Sequence, residues 1–173
     1  MSAPELSRIV KVRPQAPERI AIEADDAERS ALAERFDIPE VRSLIADLAF
    51  DGNGPSIEAK GRMVADLIQT CAVSGEKFPV RIDEALHLRF VPVGTLAVAD
   101  DDEIELDSAG PDEIEYDGES FDVGEAIAQS LGLAIDPFVE GPNADAARRK
   151  AGIIDEAAAS GPMAEALRAL RPS

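Results

Sequence analysis

Val80-Arg81-Ile82-Asp83-Glu84-Ala85-Leu86-His87-Leu88-Arg89-Phe90 decides the fold. Val80, Ile82, Leu86, Leu88 and Phe90 share one face, broken only by Glu84, while Arg81, Asp83, His87 and Arg89 lie opposite. A period of two with one apolar and one charged face marks a strand buried on one side and wet on the other, as in an antiparallel sheet. The same reading extends upstream. Met63, Ala65, Leu67, Cys71 and Val73 keep one face, interrupted only by Gln69, and Ile57, Ala59 and Gly61 precede them. Before these, Leu44, Ala46, Leu48 and Phe50 alternate, and Asp51-Gly52-Asn53-Gly54 is a strong reversal signal, so residues 41–61 predict a β-hairpin.

Toward the N-terminus, residues 6–12 and 19–23 read as short strands separated by Pro14 and Pro17. Asp25 with Glu28 three residues on predicts a capped helix to about Phe36, stopped by Ile38-Pro39. Downstream, residues 93–111 carry Gly94, an acidic run and Gly110-Pro111, and read as a mobile loop. Residues 114–116 predict a short strand turned by Asp117-Gly118. Asp122 as N-cap, Glu125 at the third helical position and the stripe Val123, Ile127, Leu131 predict a later helix that Gly132 can end. The fold class expected is α+β: an antiparallel sheet curled toward a barrel or sandwich, with a few short helices and an acidic loop. Residues 1–140 form the expected domain, with the loop at 93–112, and residues 141–173 an Ala-rich tail with a short terminal helix.

At 173 residues and 45% apolar content the chain can bury one proper core. It has no run of about 18 apolar residues and no basic-then-apolar leader, so a soluble protein of the cytoplasm without membrane contact is expected. The formal charge of −18 is placed unevenly. Residues 1–89 hold 16 acids and 12 bases, residues 90–147 hold 16 acids and no base, and residues 148–173 hold 3 acids and 5 bases. The middle stretch repels phosphate, because affinity for nucleic acid comes largely from Lys and Arg displacing counterions.

Chemistry-bearing residues are few. Cys71 is the only cysteine; it can form no internal disulfide, and its phase with Met63, Ala65 and Leu67 predicts a buried structural thiol rather than a reactive one. His87, the only histidine, sits on the polar face, where a cross-strand pairing is the plain reading and general-base catalysis the sharper one. Asp100, Asp101, Asp102, Glu103 and Glu105 superficially resemble a calcium loop, yet Glu105 stands where such a loop needs glycine. A solvated loop and an electrostatic docking site for a basic partner are the other readings. No phosphate-cradling glycine loop, zinc motif or nucleophile elbow occurs, so no catalytic residue, cofactor or metal is expected.

Three stretches resemble the YceD-like family, which is linked to accumulation of large-subunit ribosomal RNA. The first is Gln69-Thr70-Cys71-Ala72-Val73-Ser74-Gly75-Glu76-Lys77-Phe78-Pro79 with the alternating strand that follows through Phe90-Val91-Pro92. The second is Phe121-Asp122-Val123-Gly124-Glu125-Ala126-Ile127-Ala128-Gln129-Ser130-Leu131, with Leu133-Ala134-Ile135-Asp136-Pro137-Phe138 behind it; the third is Pro162-Met163 with Leu167 and Leu170. Many relatives carry Cys-x-x-Cys where this chain has Cys71-Ala72-Val73-Ser74, so a zinc site imputed to them is not carried over. The resemblance implies a bacterial factor in synthesis, processing or stability of large-subunit ribosomal RNA, and the absence of catalytic motifs makes a non-enzymatic one the expectation. Joined to the charge pattern, it points to a basic ribosomal protein or assembly factor of the large subunit as partner, docked through Asp100, Asp101, Asp102, Glu103 and Glu105. Two alternatives stay open: direct RNA binding by Arg8, Lys11, Arg13, Arg81, His87 and Arg89, and a hydrolase using paired carboxylates.

Overall fold

In a computed structural model of the chain, the alternating stretch lies within a 16-residue strand, Lys77–Pro92. The structure describes residues 4–13, 16–52, 54–95, 110–153 and 169. In chain order the elements are β1 (Ile9–Lys11), β2 (Arg19–Glu23), α1 (Asp26–Arg35), β3 (Glu40–Asp51), β4 (Ile57–Thr70), β5 (Lys77–Pro92), β6 (Asp112–Tyr116), β7 (Ser120–Asp122), α2 (Val123–Ala134) and α3 (Ala144–Lys150). The fold class is α+β, as the patterning predicts.

Two compact units divide the chain: Met1–Gln69 with Pro79–Asp136, and Thr70–Phe78 with Pro137–Ser173. The first holds a five-stranded sheet in the order β2-β3-β4-β5-β6 and a two-stranded sheet, β1-β7. β2 pairs antiparallel with β3, and β3 with β4, where Leu44 faces Ala65 and Ala46 faces Met63. Across β4 and β5 the charged partners run Glu58 with His87, Arg62 with Asp83 and Asp66 with Arg81, rising on one strand as they fall on the other, which makes this pair antiparallel too. The sheet departs from the uniformly antiparallel expectation at its last step. β6 pairs parallel with β5, Phe90 opposite Ile114, and the sheet is mixed. It does not close into a barrel: among the described residues β2 and β6 each have one neighbour.

Alternation places the core. Ile22, Leu44, Ala46, Leu48, Ala59, Met63, Ala65, Leu67, Ile82, Leu86, Leu88 and Phe90 are buried from the five-stranded sheet, and Leu6, Leu32, Phe121, Val123, Ile127 and Leu131 belong to the same cluster. Phe121 stacks on Phe90 at 3.9 Å between ring centroids and 15° between planes, with Phe50 and Tyr116 tilted against it. Glu84, which breaks the apolar face in the sequence, is exposed.

The helices follow their caps. Asp25 accepts the Glu28 N–H and the Glu28 carboxylate accepts the Asp25 N–H, so the capping box is complete. The helix ends on Asp37 with φ 52°, a left-handed residue that lets Ile38 N–H close on the Ala33 carbonyl. α2 starts at Asp122 as predicted, but Gly132 does not end it. The helix runs on to Ala134, and the missing Cβ of Gly132 makes room for the Phe36 ring. β7 and α3 are the two elements the patterning does not predict. The expected terminal helix at 162–170 lies outside the described residues apart from Ala169.

In the second unit the β4–β5 turn is closed by Cys71 N–H to Glu76 O and Gly75 N–H to Cys71 O, with Gly75 at φ 72°. Ala72 N–H donates to Val139 O and the Asn143 side chain to the Glu76 carboxylate, so residues 137–144 are stitched to the turn.

Candidate functional site

The expected docking residues Asp100, Asp101, Asp102, Glu103 and Glu105 lie outside the described residues. What the structure places is the continuation of that acidic stretch. On β6 the side chains of Ile114 and Tyr116 point inward, Tyr116 buried and donating its hydroxyl to the Pro55 carbonyl, so Glu113 and Glu115 must face solvent. Asp112, Glu113, Glu115, Asp117 and Glu119 are all exposed, the last two on the turn that Gly118 makes at φ 79°. Glu113 pairs with Arg89 at 3.2 Å, and a Glu115 carboxylate oxygen accepts the Gly94 N–H at 3.0 Å. For Asp112, Asp117 and Glu119 no cation stands within ion-pair distance among the described residues.

The basic residues of the RNA-binding alternative sit differently. Arg81 is paired with Asp66 at 3.0 Å, and Arg89 binds both Glu113 and the Ser56 hydroxyl. Arg8 binds both oxygens of Glu28, whose carboxyl is held below the usual carboxylate range first of all by that contact. His87 Nε2 stands 3.5 Å from the Glu58 carboxylate, which is the cross-strand pairing read from the sequence. Lys11 and Arg13 are exposed. The wet face of the sheet is thus a ladder of opposite charges, also including Arg19 with Asp47 and Arg62 with Asp83. A cation already matched by a carboxylate offers a phosphate much less than a free one does.

The stretch from Phe121 to Leu131 resolves into structural roles. The Asp122 carboxylate accepts from four donors: Ser7 Oγ at 2.6 Å and the backbone N–H groups of Arg8 at 2.7 Å, Gly124 at 2.9 Å and Glu125 at 3.2 Å. It therefore caps α2 and pins the N-terminal segment to the helix in one contact. That segment runs so close that a Cβ on Gly124 would stand 2.7 Å from Arg8 N and 2.9 Å from Leu6 O. Glu125 accepts two guanidinium bonds from Arg35 on α1, at 2.9 and 3.0 Å, and Arg35 also reaches Glu5 at 2.8 Å. These bonds hold the Glu125 carboxyl below its ordinary value.

Cys71 is buried, as its phase predicts, although it opens a turn instead of continuing β4. The Ser74 side chain and the backbone N–H of Ser74, at 3.3 Å from Sγ, together with Gly141, lower its thiol to about 7. Burial at 2% exposure still keeps reagents from it. Gln69 is a buried polar side chain, and its amide donates to the Asp136 carbonyl.

Two or more carboxylates line each of two surface depressions: one where Glu23, Asp25 and Asp26 meet Arg29, and one where Asp26 and Glu40 meet Arg29 and Arg42. Asp25 serves as the α1 cap, Asp26 binds Arg29 and Glu40 binds Arg42, so each of these three carboxylates is already engaged as an acceptor within the fold. Among the described residues no group of three His, Cys, Asp or Glu side chains could hold a metal ion, and no helix is long and apolar enough to cross a membrane. No family model, curated protein or solved structure matches the chain.

Proposed function

We propose that this protein is a non-enzymatic docking factor that binds a basic protein through the acidic surface contributed by residues 90–147. One observation carries the reading: that stretch holds 16 acids and no base, and its described part turns five of those acids to solvent along β6 and the turn after it. Opposite charge speeds encounter and selects against acidic partners. The resemblance to the YceD-like family suggests the setting, which is the synthesis, processing or stability of large-subunit ribosomal RNA in the bacterial cytoplasm. The partner class is then a basic ribosomal protein or assembly factor of the large subunit. Direct RNA binding is the weaker reading, because Arg8, Arg81 and Arg89 are matched by Glu28, Asp66 and Glu113.

The test has two stages. Immobilised protein is exposed to lysate with and without nuclease, and a basic large-subunit protein should be retained in both; retention lost after nuclease would favour RNA instead. With the purified partner, Asp100→Asn, Asp101→Asn, Asp102→Asn and Glu103→Gln are combined. The association rate should fall and its salt dependence flatten, the dissociation rate changing less. An association rate unchanged at low salt would remove this run from the docking surface.

A further inference from the structure

We infer that β6 is the docking element itself, taking a basic extended segment of the partner as an added strand beside Glu113 and Glu115; this rests on the docking reading above. β6 is the edge of the five-stranded sheet, with β5 its one neighbour among the described residues. Val93 N–H donates to the Tyr116 carbonyl, so the peptide groups of Tyr116 face β5. Alternation along the strand then turns the N–H and C=O groups of Glu113 and Glu115 to the open side. An edge of this kind is a template for another strand.

The other edge of the sheet is not equivalent. At the end of β2 the Glu23 carbonyl accepts from Arg8 and the neighbouring Ala24 carbonyl from Arg29. Guanidinium groups thus cover that end, whereas on β6 and the turn after it Asp112, Glu113, Glu115, Asp117 and Glu119 are exposed. Glu113 is matched by Arg89, and the four others, on β6 and the turn after it, have no cation partner among the described residues; their surplus charge selects the occupant. A second copy would bring the same acids against them, on a chain of formal charge −18, and is rejected. A strand with Lys or Arg at alternate positions places its cations beside Glu113 and Glu115 and satisfies their peptide groups at the same time.

The experiment uses the full chain and three short capped peptides: one alternating Lys and Val, the same peptide with consecutive backbone nitrogens methylated, and one alternating Glu and Val. The Lys–Val peptide should bind and slow amide exchange at Glu113 and Glu115. Methylation keeps every charge but removes the strand donors, and each lost ladder bond should weaken binding roughly two- to tenfold. The Glu–Val peptide should not bind. Equal binding of the methylated and unmethylated peptides would overturn strand addition while leaving charge-driven docking standing. Slow exchange of Glu113 and Glu115 in the free protein would also overturn it, since the edge would already be covered. Failure of every Lys peptide to bind at low salt would remove both strand addition and the docking reading.

Discussion

The contact between Arg35 and Glu125 shows how one charged pair can hold two helices together. Glu125 is mostly shielded, 28% of its side chain remaining exposed, and takes two guanidinium bonds, a geometry worth more than a surface pair. Its carboxyl is depressed in the folded state, chiefly by Arg35. A carboxylate so depressed adds stability above its unfolded value of about 4.3, and that stability is lost as pH falls through the folded value. Glu125→Gln keeps the shape and removes the charge. The variant should be less stable than the native chain by about 1 kcal/mol at pH 7, with the gap narrowing below about pH 4. Denaturant titrations along a pH series measure this, and a gap independent of pH would mean that packing, not charge, is lost. At the same scale Gly124 and Asp122 explain why Phe121-Asp122-Val123-Gly124-Glu125 is built as it is. The aspartate caps and pins, and the glycine lets the chain before it pass.

At the scale of the element, β5 is the strand on which the fold rests, since it joins the antiparallel part of the sheet to the parallel edge. Leu88 is 1% exposed, while Arg89 sits on the wet face with Glu113 and Ser56. Leu88→Ala should therefore cost about 2–5 kcal/mol, the range for a buried leucine that leaves a cavity. Arg89→Ala should cost less than about 1 kcal/mol, because its ion pair is half exposed. Equal costs in a urea titration would mean that the sheet is not two-sided. The alternation that separates these neighbours is fully visible in the sequence, whereas the parallel pairing of β6 is not. Its signal is a long-range match between Leu88–Pro92 and Asp112–Tyr116, which no local pattern encodes.

For the whole molecule the governing fact is an excess of 35 acids over 17 bases. Two opposing effects respond to salt. Screening weakens contact pairs such as Arg19 with Asp47, each worth about 0–1 kcal/mol, and it also relieves the long-range repulsion of the surplus acids. Contact pairs act over a few ångströms and are screened little, so the relief should win. The melting temperature at pH 7 should rise as salt increases from about 10 mM to 0.5 M, over which the Debye length falls from about 30 Å to a few ångströms. A falling melting temperature in a calorimetric series would show that the ladder of pairs outweighs the repulsion.

What the sequence by itself determined is whatever depends on neighbours a few residues apart. The period-two faces of β3, β4 and β5 follow from alternation, the starts of α1 and α2 from Asp25 with Glu28 and from Asp122, and the burial of Cys71 from its phase. The uneven charge, which carries the functional reading, is a property of composition and was equally legible. What only the tertiary structure decided joins segments far apart in the chain. Val10 meets Phe121, Arg35 meets Glu125, and Arg8, Arg81 and Arg89 each find a carboxylate that cancels them. These choices escape a linear reading because the entropy of closing a long loop is offset by the sum of many contacts made at once in the core, and no single residue announces its distant partner.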